Sequence, residues 1–150
     1  MTEQQTIYEA IRLAIRREQD AYSFLMAMSG CVKSPGMKFL LEDLAKEEVE
    51  HENKLELELM KLGEVVRSNQ EQTETQNPYY VEAGECADMD YADLLRLCME
   101  KEDISFRLYI DLSNQMHQEQ TREVFISLAE EELRHKLRFE AEYEKLPRTK

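Results

Sequence analysis

The chain has 150 residues, of which 34% are charged and 42% hydrophobic, and a formal net charge of −13. That length supports one domain around one core, and the composition excludes a disordered or fibrous polymer. A surface so acidic repels phosphate and anionic lipid, which argues against nucleic acid or a membrane as partner, and no apolar run approaches transmembrane length.

Only four glycines and three prolines interrupt the sequence, so long stretches rich in Glu, Leu, Lys, Arg and Ala contain no helix breaker. The first predicted helix covers residues 3–29, with Ile7, Ile11, Ala14, Ile15, Tyr22, Leu25 and Met28 at 3–4 spacing, and Gly30 ends it. Ser34-Pro35 reads as an N-cap followed by proline at the first helical position. A second helix over 35–65 carries Met37, Leu41, Leu44, Leu55, Leu59 and Leu62. The polar stretch Val66 to Met89 is too long for an ordinary helix–helix turn and reads as a crossover along the bundle. A third helix follows over 89–116, with Leu94, Leu95, Cys98, Phe106, Tyr109, Leu112 and Met116. A fourth, over 119–146, carries Phe125, Leu128, Phe139, Tyr143 and Leu146 and is closed by Pro147. The expected fold is an all-α four-helix bundle over 1–150, two hairpins joined by a long connection.

Cys31, Cys86 and Cys98 form no CxxC pair, and Met1-Thr2-Glu3-Gln4-Gln5 lacks a basic start and an apolar core. Reduced thiols and a cytoplasmic location are expected.

Six ionisable residues break the apolar stripes. They are Glu18 in the first helix, Glu48 and His51 in the second, Glu102 in the third, and Glu132 and His135 in the fourth. Glu-x-x-His is a weak motif alone, but these positions recur. Glu18 to Glu48 and Glu102 to Glu132 are both 30 residues; Glu18 to Glu102, Glu48 to Glu132 and His51 to His135 are each 84. The text around them repeats too, Leu44-Ala45-Lys46-Glu47-Glu48-Val49-Glu50-His51 against Leu128-Ala129-Glu130-Glu131-Glu132-Leu133-Arg134-His135, so the chain reads as a duplicated hairpin. In each hairpin the two glutamates lie about fifteen residues, roughly 22 Å, from the turn, which is the middle of the bundle.

Four carboxylates in an apolar interior repel one another, and each unpaired charge there costs several kcal/mol. Two divalent cations would cancel four carboxylates and leave neutral imidazoles as further ligands. Glu and His three apart share a helix face and can reach one ion. Carboxylate and imidazole donors suit iron or manganese, and one Glu from each of two helices plus Glu-x-x-His from the other two is the ligand pattern of di-metal carboxylate bundles.

The chain resembles the rubrerythrin branch of the ferritin-like superfamily. The resemblance spans roughly residues 5 to 146 and rests on Glu18-x-x-Ala21-Tyr22, Ala45-x-Glu47-Glu48-x-x-His51, Glu102 with Tyr109, and Ala129-x-Glu131-Glu132-x-x-His135. It implies Glu18, Glu48, His51, Glu102, Glu132 and His135 as ligands of two irons, with Glu48 and Glu132 bridging. Manganese or a mixed-metal pair is the alternative. Tyr22 and Tyr109 are expected beside the site. Rubrerythrins typically carry another Glu three residues after the third-helix ligand, where this chain has Ser105, and full-length members add a rubredoxin domain with paired CxxC motifs, absent here. The resemblance therefore implies an oxidoreductase reducing hydrogen peroxide or dioxygen in oxidative-stress defence. Its electron donor is a separate protein such as rubredoxin, and it is expected as a homodimer or small homo-oligomer.

Other readings are a bacterioferritin-like ferroxidase for iron storage, a non-catalytic metal-binding bundle, or a hydroxylase of organic substrates. The symmetric set of four Glu and two His favours the ferroxidase. The few residues after the fourth helix count against it, leaving no fifth helix to help close a cage.

Overall fold

A computed structural model describes residues 2–64, 86 and 89–147. It contains four helices, α1 (Glu3–Ser29), α2 (Pro35–Lys61), α3 (Tyr91–Gln115) and α4 (Glu119–Glu144), and no strand among the described residues. None of these helices is long and apolar enough to cross a membrane.

Local chemistry sets the ends. At α1, Thr2 Oγ1 accepts from the Gln5 amide at 3.1 Å while Gln5 Oε1 accepts from the Thr2 amide at 3.0 Å, a reciprocal capping box. Ser34 caps α2 through the Met37 amide ahead of Pro35, and Asp90 caps α3 through the Asp93 amide at 2.8 Å. The far end of α2 comes earlier than the 35–65 span expects. Gly63 adopts φ +88°, and the Gly63 and Glu64 amides fold back onto the Met60 and Leu59 carbonyls. That left-handed termination suits glycine and turns the chain off the helix axis after Leu62.

Two apolar clusters hold the bundle together, one at each end. The first joins the C-terminal half of α1 (Phe24, Leu25, Met28), the start of α2 (Leu41, Leu44), the start of α3 (Leu94, Leu95) and the end of α4 (Phe139). The second joins the start of α1 (Ile7, Ile11), the end of α2 (Leu55, Leu59), the end of α3 (Leu112) and the start of α4 (Phe125, Leu128). Thus α1 runs with α4 and against α2 and α3, and α2 ends at the opposite end of the bundle from where α3 begins. The expected crossover, residues 66–89, lies outside the described residues except for Cys86 and Met89.

The duplicated hairpin is visible in polar contacts as well as in the core. Gln19 Nε2 donates to Glu52 Oε2 at 2.8 Å between α1 and α2, and the residues 84 positions on, Asp103 and Lys136, join α3 to α4 at 3.1 Å.

The cysteine reading needs correction. Cys31, in the α1–α2 turn, is bonded to Cys86 with their Cα atoms 6.0 Å apart, and Cys98 remains as a buried free thiol. The partners are 55 residues apart, so only the return of the chain to the α1–α2 end brings them together.

Candidate metal centre

Between the two apolar clusters lies a polar layer. Glu18, Glu48, His51, Glu102, Glu132 and His135 are each at most 4% exposed. Each Glu-x-x-His pair lies one turn apart on its helix and presents both side chains inward. Six ionisable groups on four helices therefore meet at mid-bundle, as the matched spacings require.

The six divide into two overlapping groups. Glu18, Glu48, His51 and Glu132 bring ligand atoms within 4.8 Å of one another, as do Glu48, Glu102, Glu132 and His135. Glu48 and Glu132 belong to both. His51 Nδ1 is 2.9 Å from Glu132, 3.4 Å from Glu18 and 3.8 Å from Glu48. His135 Nδ1 repeats that pattern, 3.0 Å from Glu48, 3.5 Å from Glu102 and 3.8 Å from Glu132. The two imidazole rings are 5.7 Å apart between centroids and nearly parallel at 11°. The third histidine, His117, is exposed in the α3–α4 turn.

Crowding these groups shifts their protonation. Burial first, then the charges of Glu132, Glu18 and Glu102, pushes the Glu48 carboxyl well above its usual range. Glu132 is pushed up to about 7, by burial and then by Glu102, with a hydrogen bond from His51 pulling the other way. Burial alone would lower His51, but the hydrogen bond to Glu132 and the neighbouring Glu18 carboxylate raise it to about 11. Burial likewise opposes, and Glu102 foremost overcomes, in raising His135 to about 9. Without a cation, protons do the neutralising.

Those protons leave the layer poorly satisfied. Glu18 Oε2, both oxygens of Glu48, Glu102 Oε2, Glu132 Oε2 and both ring nitrogens of His135 are buried without a hydrogen-bond partner among the described residues. Native interiors tolerate few such atoms, and here they converge on two adjacent points. Oxygen and imidazole donors in that arrangement fit a pair of divalent cations such as iron or manganese.

Around the layer, Tyr109 is buried on α3, stacked near Phe125, and donates its hydroxyl hydrogen bond to Glu18. Burial, then the Glu18 charge, pushes that phenol above its usual range. Tyr22 does not join it. Although expected beside the site, it is 38% exposed and contributes no hydrogen bond to the cluster. Ser105 is buried one turn beyond Glu102, and Cys98 one turn before it.

Two residues escape the stripe-based reading. Glu131 Oε2 lies 2.7 Å from His51 Nε2, and Glu47 Oε1 lies 3.6 Å from His135 Nε2, each reaching across from the other hairpin. Their signal was the repeat itself, since Glu47 and Glu131 are 84 apart and precede Glu48 and Glu132.

A family model for rubrerythrin matches residues 9–143. The chain belongs to the rubrerythrin family. Solved structures share the fold of this chain. A conserved hypothetical protein from Mycobacterium tuberculosis superposes with a TM-score of 0.73 at 16% identity, covering 99% of this chain and 98% of that one. A hypothetical protein from Pyrococcus furiosus gives 0.67 at 23%, covering 92% and 88%. A dodecameric thioferritin, the bacterioferritin-related protein from Bacteroides fragilis, gives 0.69 at 16%, covering 94% and 85%. No curated protein matches the sequence.

Proposed function

We propose that this rubrerythrin-family chain is a di-iron oxidoreductase that reduces hydrogen peroxide, or dioxygen, in defence against oxidative stress. The observation that carries the reading is the pair of overlapping four-residue groups sharing Glu48 and Glu132. Glu18 and His51 would hold one ion and Glu102 and His135 the other, with Glu48 and Glu132 available to both. Two bound ferrous ions would supply two electrons, enough to reduce hydrogen peroxide to two waters or dioxygen to hydrogen peroxide, each with two protons.

The remaining work belongs to the protein. Ile15, Leu55, Tyr109 and Leu128 on one side of the layer and Leu25, Leu44, Cys98 and Phe139 on the other keep bulk water from the carboxylates. Tyr109 fixes the orientation of Glu18. Electrons return from a separate donor such as rubredoxin, and manganese can replace iron in this donor set.

A second reading, ferroxidase, is favoured by Ser105, which leaves a symmetric set of four Glu and two His instead of adding a fifth carboxylate. Assembly into a homo-oligomer suits either reading, as in the dodecameric relative in fold.

Stopped-flow mixing of the anaerobic ferrous protein with peroxide and with air separates them. The peroxidase reading expects peroxide to oxidise the centre at least about tenfold faster than air, with two electrons delivered per chain. Faster oxidation by air, continuing while excess ferrous ion lasts, supports ferroxidase. Failure to oxidise with either reagent overturns both and leaves a bundle that binds metal without catalysis.

A further inference from the structure

The inner ligands obey the twofold repeat to within about 0.1 Å, but the residues behind them do not. The distances from His51 to Glu132, Glu18 and Glu48 match those from His135 to Glu48, Glu102 and Glu132. Behind Glu18 stands Tyr109, donating a hydrogen bond. The position 84 residues earlier, which would serve Glu102 in the same way, is Leu25, a side chain with no polar atom. Behind His51 stands Glu131, 2.7 Å from Nε2. Its counterpart Glu47 is 3.6 Å from His135 Nε2, which has no hydrogen-bond partner among the described residues, and the other Glu47 oxygen lies 3.8 Å from Arg138.

Both departures favour the same half. Glu18 and His51 are each held from behind by a polar group, whereas Leu25 offers nothing to Glu102 and Glu47 stands off from His135. Outer partners of this kind fix ligand orientation and imidazole tautomer, and their loss typically costs 10–100-fold in metal affinity.

We infer that the two halves of the centre are inequivalent, with the Glu18–His51 half, positioned by Tyr109 and Glu131, taking the first metal ion and the Glu102–His135 half taking the second. The inference rests on the ligand assignment proposed above. It makes the Glu102–His135 ion the one that exchanges with solvent and with competing metals. Tyr109 and Glu131 are positioning residues, and neither need touch the ion.

Repulsion between two dications sharing Glu48 and Glu132 would separate two binding steps even in a symmetric centre. The deciding readout is therefore which histidine responds at one equivalent. Metal-free protein is titrated with zinc under anaerobic conditions, following the imidazole nitrogens by NMR and the affinities by calorimetry. At one equivalent the His51 signals should shift and those of His135 should stay in place. Tyr109→Phe and Glu131→Gln should each weaken the first step by about 10–100-fold and spread the first equivalent over both histidines. Glu47→Gln should change neither step more than about twofold. Glu131 is 34% exposed, so its substitution tests the idea without disturbing the core. Equal response of both histidines in the unmutated protein, or equal weakening of both steps in Tyr109→Phe, overturns the inequivalence while the two-ion centre stands. Absence of any bound zinc overturns the centre and this inference together.

Discussion

Loading the centre exchanges protons for cations, and the number of protons follows from the layer's electrostatics. With His51 near 11 and His135 near 9, both imidazoles of the empty protein are cationic at pH 7, and each loses a proton to become a ligand. Glu132, near 7, gives up about half a proton, and Glu48, held upward by burial and by its three carboxylate neighbours, adds a contribution of up to about one. Two ions should therefore release between about 2.5 and 3.5 protons per chain at pH 7. The overall two-ion constant then rises by roughly that many powers of ten per pH unit near neutrality. The slope falls off as pH climbs through the values of Glu132 and then His135. Calorimetry in two buffers of different ionisation enthalpy, repeated between pH 6 and 9, measures the count directly. Release of fewer than about one proton at pH 7 would mean that the empty layer holds neither imidazolium, and the electrostatic account would fail.

Glu48→Ala and Glu132→Ala should each reduce the bound metal from two ions to one, because each removes a side chain common to both groups; metal analysis after gel filtration reads the ratio. In the empty protein these raised values all act in one direction. Stability contributed by the imidazoliums is complete below pH 6.5 and lost as pH rises through about 9 and about 11, while Glu132 begins to cost stability between 4.5 and about 7. Its melting temperature should fall steadily from pH 5 to pH 9, and two bound dications should abolish that decline. Reducing Cys31–Cys86 reopens a loop of 55 residues, worth about 4 kcal/mol in the chain-entropy limit, so thiol treatment should lower the melting temperature by roughly 10 °C.

Glu18, Glu48, His51, Glu102, Glu132 and His135 were legible in the sequence because charge inside an apolar stripe is costly, and the repeated spacings of 30 and 84 placed all six at one height. The end of α1 and the start of α2 were equally plain, since Gly30, Ser34 and Pro35 act locally. What the sequence hid depends on rotation or on distant chain. Tyr109 follows Glu102 by seven residues, about 20° from its direction, and reaches Glu18; Tyr22 follows Glu18 by four, about 40° to the other side, and comes to the surface. Glu47 and Glu131 sit on half-buried flanks, and among 32 acidic residues the 84-residue repeat alone does not single them out until a histidine is found beside each. Cys31 and Cys86 meet only through the path of the chain between α2 and α3, which no local pattern encodes.

Crystals of iron-loaded protein, with anomalous data collected on both sides of the iron absorption edge, would test the existence of the paired centre most directly. Two peaks about 3.5–4 Å apart are expected between Glu48 and Glu132, one beside His51 and the other beside His135. A single peak, or iron only at the acidic surface while the buried layer stays dark, would contradict it.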